Sequence, residues 1–213
     1  MNCPVCEAIV LKQITHSRGR EYGSCENCGL FFMLPEHRQP PEAEKYRYTL
    51  HNNSIEEPGY VKYLEGFLNA AVYSCVEKGA SVLDYGSGPE PVMVQLMKRR
   101  GYKALGYDPY FSPDKSVLNK VYDCVTCVEV IEHMVNPSRL FKDAARMLPP
   151  DRMLFIRTEL HAGDDEAFRT WWYPEDETHV SFFAPKTIEH LCVFHGFSLE
   201  WIKKGHYISC VKK

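Results

Sequence analysis

The sequence lacks the features that mark membrane-spanning, secreted and nucleic-acid-binding proteins. Its 213 residues contain no uninterrupted apolar run of the length that a transmembrane helix needs. The N-terminus, MNCPVCEAIV, has neither the basic start nor the small-residue cleavage site of a secretion signal. There is no run of basic residues, and the net charge is −3, so the composition gives no broad attraction to a nucleic acid. We therefore expect neither a membrane nor a nucleic acid as partner.

The nine cysteines include two tight pairs, Cys3 with Cys6 and Cys25 with Cys28, and eighteen residues separate the pairs. In a chain without a secretion signal this spacing favours metal binding over disulfides and indicates a reducing cytoplasm. A hairpin in the intervening segment would bring the four thiolates together in a tetrahedral, structural zinc site. Redox-active or incidental cysteines are the alternative interpretation.

Two observations limit what this cysteine module does. Within residues 1–35 three basic side chains are matched by three acidic ones, which favours a packing or substrate-covering role over the reading of a nucleic acid. Cys124 and Cys127 repeat the C-x2-C spacing, but they lie in a predicted strand, where residues three apart face opposite ways. We therefore expect this second pair to be core residues and not zinc ligands.

From residue 79 onward the sequence alternates predicted strands and helices, which is typical of a parallel sheet covered on both faces. Short apolar runs predict four strands: SVLDY, KALGYD, YDCVTCVEV and RMLFIRTEL. Helical periodicity predicts three helices: PVMVQLMKRRG, NPSRLFKDAARML with Asn136 as its N-cap, and APKTIEHLCVFHG. FSLEWIKKGHYISCVKK predicts a closing hairpin that turns at Lys204-Gly205. PYFSPDKSVLNK is too short for the helix, strand and helix of a complete doubly wound sheet, so we expect one edge strand to be missing.

The region between the cysteine module and this sheet is charged and rich in tyrosine. It opens with the helix-breaking PEHRQPPE, and SIEEPGYVKYLEGFLNAAVYSCVEKG then shows the spacing of a single helix. We therefore predict three parts: a zinc ribbon over residues 1–35, a helical bridge or cap over 36–78, and an α/β domain over 79–213.

A glycine-containing loop follows the first predicted strand, in VLDYGSGPE. Glycines there let the backbone pass close under a ligand, and the helix that follows offers free N–H groups. Asp108 ends the next strand, where a carboxylate can accept hydrogen bonds from both hydroxyl groups of a ribose. This order of elements favours a nucleoside site, and the alternative is that Asp108 only caps a turn.

These motifs resemble those of class I S-adenosylmethionine-dependent methyltransferases. VLDYGSGPEP, GYDP, YDCVTCVEVIEHM and the closing hairpin occur in the same order over residues 80–213. The resemblance implies a doubly wound, Rossmann-like α/β fold, methyltransferase activity and S-adenosylmethionine as cofactor. It also implies a set of cofactor-binding residues: Asp84, Tyr85, Gly86, Ser87, Gly88, Asp108 and, at the end of the third strand, Cys127. A dinucleotide-binding dehydrogenase would share the loop, but the hairpin and EVIEH disfavour it.

The whole chain also resembles a bacterial family of methyltransferases. That family begins with paired cysteines, continues with a segment like YTLHNNSIEEPGY, and later carries WWYPEDETHVSFF. The chain departs from the usual glycine loop at Glu90, where a third glycine is common. A carboxylate at a helix N-terminus is electrostatically acceptable, but its side chain would crowd the cofactor if it pointed into the pocket.

Acidic and histidine side chains follow the third predicted strand: Glu129, Glu132 and His133, with His179 as the expected partner across the cleft. Methyl transfer is an in-line displacement, in which alignment supplies most of the catalysis and a base serves only an acceptor atom that carries a proton. The group resembles the acidic–His constellation of small-RNA 2′-O-methyltransferases and quinone-ring O-methyltransferases, where such residues hold a divalent cation. Three interpretations stay open: a second divalent cation at this cluster, a metal-free histidine base, or a solvated helix start.

Two other segments are candidates for covering the site. Residues 161–181 show no periodicity, as in an active-site lid, and their aromatic side chains either bury an acceptor or close the core: Phe168, Trp171, Trp172 and Tyr173, with Phe182 and Phe183 following. Ahead of the domain, another group either folds over the cofactor or lies on a surface linker: Tyr46, Tyr48, His51, Asn52, Asn53 and Tyr60.

Three functions are compatible with these patterns. The favoured one is methyl transfer to a small-molecule acceptor, with an oxygen preferred over nitrogen or carbon as the methylated atom. The second is methylation of RNA, with the zinc ribbon as the reader. The third is a non-catalytic, cofactor-binding scaffold in which Glu90 has spoiled the pocket.

Overall fold

The computed structural model describes residues 1–50 and 53–213, and it begins with a small antiparallel sheet that carries the paired cysteines. Strands β1 (Lys12–Thr15), β2 (Glu21–Ser24) and β3 (Phe31–Met33) pair in the order of the chain. β1 and β2 form the predicted hairpin, with Lys12 opposite Ser24. Because the hairpin reverses the chain, the second cysteine pair returns to the first.

Three helices follow: α1 (Pro41–Thr49), α2 (Pro58–Ala70) and α3 (Val72–Cys75). α1 has no buried residue, whereas α2 buries an apolar stripe against the sheet of the main domain. The prediction of a single helix through α2 and α3 is wrong, because Ala71 interrupts it with φ −113° and ψ −76°. Ala71 and Val72, at the break, are both fully buried.

The main domain then alternates strands and helices: β4 (Ser81–Tyr85), α4 (Val92–Arg99), β5 (Lys103–Tyr107), β6 (Cys124–Val128), α5 (Ser138–Met147) and β7 (Met153–Arg157). The four strands are parallel, in the order β5-β4-β6-β7. Asn136 is not the N-cap of α5. Pro137 holds the cap position with φ −61° and ψ −26°, already in the helical region, and no side chain caps the helix.

The segment after β7 contains regular structure that the sequence does not reveal. It forms α6 (Asp165–Thr170), a 3₁₀ turn at Tyr173–Glu175 and β8 (Ser181–Phe182). The prediction of an irregular loop here is wrong, because elements this short cannot show a periodic pattern. β8 pairs with β3, so the cysteine module and this insertion share one four-stranded sheet. The three-part division of the chain at residues 35 and 78 stays a prediction.

A helix and a hairpin complete the main sheet: α7 (Pro185–Phe194), β9 (Phe197–Lys203) and β10 (Tyr207–Lys212). β10 runs antiparallel to β7, which gives the order β5-β4-β6-β7-β10-β9. Lys204 and Gly205 both have positive φ, 55° and 75°, as a tight hairpin turn requires.

Both faces of the main sheet are covered, as the apolar runs predict. Successive residues of each central strand point to opposite faces, so Val82 packs with α2 and α4 while Leu83 packs with α5 and α7. The predicted core cysteines follow the same rule, because Cys124 joins the first face and Cys127 the second. Both are fully buried.

The sheet ends at β5, which confirms that one edge strand of a complete doubly wound sheet is missing from the described chain. Between β5 and β6 the chain forms only a 3₁₀ helix at Lys115–Asn119. This short connection leaves the carboxyl ends of β4, β5 and β6 open beneath α1. No helix among the described residues is both long enough and apolar enough to cross a membrane.

Candidate active site

A cavity of about 950 Å³ opens at the carboxyl ends of the parallel strands. In open α/β sheets this edge is where ligands bind. The glycine loop after β4 and Asp108 after β5 form one end of the cavity, and the ends of β6 and β7 form the other. α1 and the turn at Tyr173–Glu175 line it from outside the sheet. Its volume lies near the upper limit of the roughly 300–1,000 Å³ typical of ligand pockets.

The glycine loop is held in a backbone conformation that would be strained for any residue other than glycine. Gly86 and Gly88 have φ of 87° and 69°. A Cβ on Gly86 would overlap the side chain of Val130, whereas one on Gly88 would meet open space. The amides of Gly86 and Ser87 donate to the carbonyl of Tyr107, at 2.7 and 3.0 Å, which fixes the loop against β5. The predicted residues Gly86, Ser87 and Gly88 all line the cavity.

Asp108 lines the cavity beside this loop, and its carboxylate is fixed by backbone amides. Oδ2 accepts from the amide of Gly88 at 3.0 Å, and Oδ1 accepts from the amides of Tyr110 and Phe111 at 2.8 and 3.0 Å. The turn-capping and ligand-binding interpretations are therefore compatible, because a carboxylate can accept further hydrogen bonds from a ligand.

Three of the predicted cofactor residues lie beneath the cavity wall. The structure buries Asp84, whose Oδ1 accepts from Thr126 Oγ1 at 2.9 Å, and burial raises the pKa of this carboxyl to about 7. The hydroxyl of Tyr85 donates to Asp143 at 3.0 Å, away from the cavity. Cys127 is buried in the core because strand side chains alternate, and the next residues, Val128 and Glu129, face the cavity instead.

Glu90 does not plug the pocket. Its Oε1 accepts from the amide of Ile55 at 2.9 Å and from the hydroxyl of Ser54 at 3.4 Å. The carboxylate therefore ties the segment before α2 to the start of α4. Asn53 and Tyr60, two of the predicted capping residues, line the cavity next to this tie.

Glu129 follows β6 and reaches the cavity through a backbone with φ 53°, an unfavourable conformation for a residue with a side chain. Its carboxylate forms an ion pair with Arg157 at the end of β7, and Oε1 accepts from the hydroxyl of Tyr63 at 2.7 Å. The guanidinium of Arg157 also lies over the Tyr63 ring, 5.0 Å from its centre. Glu129 is therefore held by partners from α2 and β7.

Glu132 is fully buried behind the cavity wall. Its Oε1 accepts from the hydroxyl of Tyr173 at 2.5 Å, and its Oε2 has no hydrogen-bond partner among the described residues. Burial raises the pKa of this carboxyl to about 7, against the opposing effect of the Tyr173 hydrogen bond. The same hydroxyl lies 3.3 Å from Glu129 Oε2, so Tyr173 joins the two predicted carboxylates.

The structure brings His133 and His179 together as predicted. Their ring centres are 4.7 Å apart. His133 Nδ1 lies 3.0 Å from the carbonyl of Thr178, and His179 Nδ1 lies 2.9 Å from that of Tyr173. Ligand atoms of Glu132 and both histidines all lie within 4.8 Å of one another, which suits a single cation, whereas Glu129 is outside this group.

Helix α1 closes the cavity with polar contacts. The hydroxyls of Tyr48 and Tyr110 donate to the two oxygens of Glu44, at 2.5 and 2.8 Å. Arg47 lies 3.6 Å from Asp176. Burial opposes ionisation of Asp176, but hydrogen bonds from Thr178 outweigh it and lower the pKa of this carboxyl to about 2.

The other predicted capping residues are distributed differently. Tyr46 is exposed and does not line the cavity, whereas Tyr48 does. His51 and Asn52 lie outside the described residues.

The aromatic cluster after β7 divides between the two predicted roles. Trp172, 62% exposed, and the buried Tyr173 line the cavity. Phe168, Trp171 and Phe182 instead pack against the cysteine module's sheet, through Tyr22, Phe31 and Met33 among others. Phe183 is buried in the main core.

The four cysteines of the module lie together, and their spacing fits zinc. Sγ atoms of Cys3 and Cys28 are 3.6 Å apart, those of Cys6 and Cys25 are 3.5 Å apart, and all four lie within 4.8 Å of one another. A tetrahedral zinc ion with Zn–S bonds of about 2.3 Å would separate sulfur atoms by about 3.8 Å. The cluster could therefore bind zinc with small adjustments.

Sequence reasoning missed three residues that shape the cavity: Glu44, Tyr63 and Arg157. Each acts through a partner distant in the chain, so no local motif indicates it. Tyr63 lies on the same face of α2 as Tyr60, four residues before Phe67 in its buried stripe. That helical spacing was the only available signal for a side chain directed at the sheet.

Comparison with known proteins agrees with this geometry. A family described as "Methyltransferase domain" matches residues 60–200. A 1,6-didemethyltoxoflavin-N1-methyltransferase from Burkholderia thailandensis, solved with its acceptor and S-adenosylhomocysteine, is 12% identical, with a TM-score of 0.56 over 95% of this chain and 99% of its own. Magnesium protoporphyrin IX methyltransferase from Synechocystis PCC 6803, solved with S-adenosylmethionine, is 13% identical, with a TM-score of 0.53 over 84% of this chain and 94% of its own. No curated protein sequence matches the chain.

At these identities the two structures share the fold, and the family match covers most of the chain. The match begins within α2 and ends within β9, so it includes the glycine loop, Asp108 and the carboxylate–histidine cluster. The chain belongs to the methyltransferase domain family, as an S-adenosylmethionine-dependent enzyme.

Proposed function

We propose that this enzyme transfers the methyl group of S-adenosylmethionine to an oxygen of a small-molecule acceptor. The observation that carries the proposal is a single cavity with a nucleoside-type loop at one end and a carboxylate–histidine cluster at the other. The volume of about 950 Å³ suits a cofactor together with a second small molecule. The two structural relatives described above are methyltransferases of small molecules, magnesium protoporphyrin IX and 1,6-didemethyltoxoflavin.

The cofactor would lie between the glycine loop and Asp108. The open space next to Gly88 would admit the part of the cofactor that faces the loop backbone. The Asp108 carboxylate would accept hydrogen bonds from the ribose hydroxyls. Asp84 and Tyr85 would support the loop from beneath, and the cavity wall after β6 would be formed by Val128 and Glu129 in place of Cys127.

The transfer itself forms a bond between the acceptor oxygen and the methyl carbon, and it breaks the bond from that carbon to sulfur. The sulfonium becomes a neutral thioether, and a hydroxyl acceptor loses its proton. We assign the acceptance of that proton to the imidazoles of His133 and His179. Glu132 would fix Tyr173, next to these two rings, through a hydrogen bond. Glu129 would position Arg157 and Tyr63 at the cavity wall.

A divalent cation at Glu132, His133 and His179 is the second version of this chemistry. Two imidazoles and one carboxylate are suitable ligands for Mn²⁺ or Zn²⁺ and are less suitable for Mg²⁺. A bound cation would polarise the acceptor oxygen and assist its deprotonation. The unpartnered, buried Oε2 of Glu132 favours this version.

The zinc module would stabilise the acceptor end of the cavity. Through the pairing of β3 with β8 it contacts the insertion that carries Tyr173 and His179. This arrangement supports a structural role for zinc over a role as an RNA reader. A cytoplasmic location stays a prediction, which rests on the paired cysteines.

Isothermal titration with S-adenosylmethionine tests the proposal first, and we expect binding to one site. Formation of S-adenosylhomocysteine is then measured with a panel of small hydroxylated compounds. Absence of cofactor binding to folded protein would contradict the proposal. Turnover with RNA but with no small molecule would contradict the acceptor class.

Two variants then distinguish a catalytic role of His133 from a structural one. His133→Ala should lower turnover at least tenfold with cofactor affinity unchanged. His190→Ala, on α7 and away from the cavity, is the matched control and should change neither. Adding Mn²⁺ or Mg²⁺ to metal-depleted enzyme should restore turnover only if a cation acts at this cluster.

A further inference from the structure

The charges around the cavity indicate the class of acceptor. We infer that the acceptor is a small, single-ring compound that carries a positive charge, such as an ammonium group, on the side opposite the methylated atom. This inference rests on the proposed function and deepens it, because it concerns the same cavity.

Acidic side chains predominate on the cavity wall. Among the described residues, six carboxyl groups and two guanidinium groups line it, and no lysine does. The carboxyl groups belong to Glu44, Glu90, Asp108, Glu129, Glu175 and Asp176. An excess of one sign inside a cleft concentrates ligands of the opposite sign.

The two guanidinium groups are already neutralised. Arg157 forms ion pairs with Glu129 and, at 2.9 Å, with Glu159. Arg47 lies 3.6 Å from Asp176. An acceptor with a carboxylate or phosphate would therefore have to compete with protein carboxylates for either group.

The remaining acidic groups exceed what the cofactor can balance. Arg18 of the cysteine module pairs with Glu175 at 2.8 Å, which leaves Glu44, Glu90 and Asp108 without an ion-pair partner among the described residues. S-adenosylmethionine carries a sulfonium, an ammonium and a carboxylate, a net charge of +1. At least one carboxylate therefore stays uncompensated when the cofactor is bound.

Glu44 is the best placed of these carboxylates to meet an acceptor. It lies on α1, which closes the cavity, and its two oxygens accept from Tyr48 and Tyr110. The Tyr48 ring is 6.0 Å from the Tyr110 ring and 5.2 Å from the His133 ring, centre to centre. Tyrosine faces next to a carboxylate are a favourable environment for an ammonium group.

This placement also sets the size of the acceptor. Tyr48 donates to Glu44 through its hydroxyl and packs edge-on against His133 through its ring, so an acceptor about as long as one tyrosine side chain would reach both residues. A ring that presents an ammonium group to Glu44 would thus direct a hydroxyl on its far side towards His133 and His179.

The test compares three phenols of matched shape: tyramine, which is cationic, 4-methylphenol, which is neutral, and 4-hydroxyphenylacetate, which is anionic. Each is titrated calorimetrically into protein saturated with S-adenosylhomocysteine, at low salt. We expect affinity to fall in that order, with at least a tenfold difference between the cation and the anion. An equal or reversed order, or no binding by any of the three, would overturn the inference.

Two variants on α1 locate the effect. Glu44→Gln should weaken tyramine binding several-fold and leave 4-methylphenol unchanged. Glu42→Gln removes an exposed carboxylate from the same helix, away from the cavity wall, and should change neither. A protein that fails to bind S-adenosylhomocysteine at all would contradict the proposed function, whereas binding of the cofactor product with a preference for the anion would contradict only this inference.

Discussion

The two ends of the cavity are built by different means. At the cofactor end, Gly86, Ser87 and Asp108 are fixed by backbone amides and carbonyls within 25 residues of chain. At the acceptor end, side chains meet from α1, α2, the ends of β6 and β7, and the insertion before β8. Backbone contacts tolerate many sequences, whereas side-chain networks do not. The cofactor end can therefore be common to a family while the acceptor end is particular to this chain.

The largest expected effect separates the two ends and follows from the proposed zinc site, through removal of its metal. Chelation, or Cys28→Ser, should unfold the cysteine module, because structural zinc sites contribute on the order of 10 kcal/mol to folding. Hydrogen exchange should then quicken in β1–β3 and β8, while β4 and β6 keep their protection. Cofactor affinity should change less than about threefold.

The exposed Cys75 supplies the control, since Cys75→Ser removes a thiol outside the cluster and should have no effect. If zinc removal abolished cofactor binding as strongly as it exposed β8, the two ends would be one cooperative unit, and the comparison would fail.

The second prediction concerns the support beneath the cofactor loop. The folded-state pKa of Asp84 is raised from 3.8 to about 7, so the folded protein favours the protonated carboxyl. Stability from this group is fully present below pH 4 and is lost as the pH rises to 7. Relative to Asp84→Asn, the wild type should lose about 4 kcal/mol of unfolding free energy across this range.

Denaturant titrations of both proteins at pH 4 and pH 8 measure this difference. Asp123→Asn is the matched control, because hydrogen bonds from Ser81 lower the pKa of that carboxyl and reverse the sign of the effect. A parallel pH dependence in the wild type and Asp84→Asn would show that Asp84 ionises normally in the folded protein.

The third prediction tests the ribose contact. Asp108→Ala should weaken S-adenosylmethionine binding about 10- to 100-fold, because hydrogen bonds to a charged group contribute about 1.5–3 kcal/mol. Asp114→Ala removes a carboxylate that also caps a turn in the same connection, by accepting from the amide of Ser116, but lies away from the cavity. Isothermal titration should show normal cofactor affinity for that control. An equal loss of affinity in both variants would show that Asp108 only caps a turn.

The smallest effect on the fold should come from the exposed aromatic residue at the acceptor end. Trp172→Ala should change the unfolding free energy by less than about 0.5 kcal/mol, because the side chain is 62% exposed. Cofactor affinity should stay the same, and the KM for the acceptor should rise. Tyr173→Phe, in contrast, should destabilise the fold by about 1–3 kcal/mol, because it leaves the buried Glu132 without its donor. If Trp172→Ala lowered cofactor affinity, the two ends would overlap at this residue.

The parts of the fold that the sequence predicts are those determined by local patterns. SVLDY coincides with β4, and the turn at Lys204-Gly205 joins β9 to β10, because apolar runs and turn residues act over a few positions. The paired cysteines and the order of glycine loop and Asp108 are similarly local. α6 and β8 could not be predicted, since six and two residues are too few for a repeat to appear.

The contacts at the acceptor end could not be predicted from local sequence patterns. The ion pair between Glu129 and Arg157 and the contact of Glu44 with Tyr110 each join residues from separate elements. Only the topology of the sheet and the path of α1 bring them together. Cys127, predicted at the cavity, lies in the core for a local reason, because strand side chains alternate and Val128 faces the cavity instead.

Glu90 has a consequence for how the enzyme responds to its cofactor. Its carboxylate connects the start of α4 to the chain just before α2. If cofactor binding orders the loop together with Glu90, it would also order the segment before α2, and by thermodynamic reciprocity a contact that orders this segment would strengthen cofactor binding by the same factor. The contacts of Glu90 with Ser54 and Ile55 would then couple the start of α2 to cofactor binding.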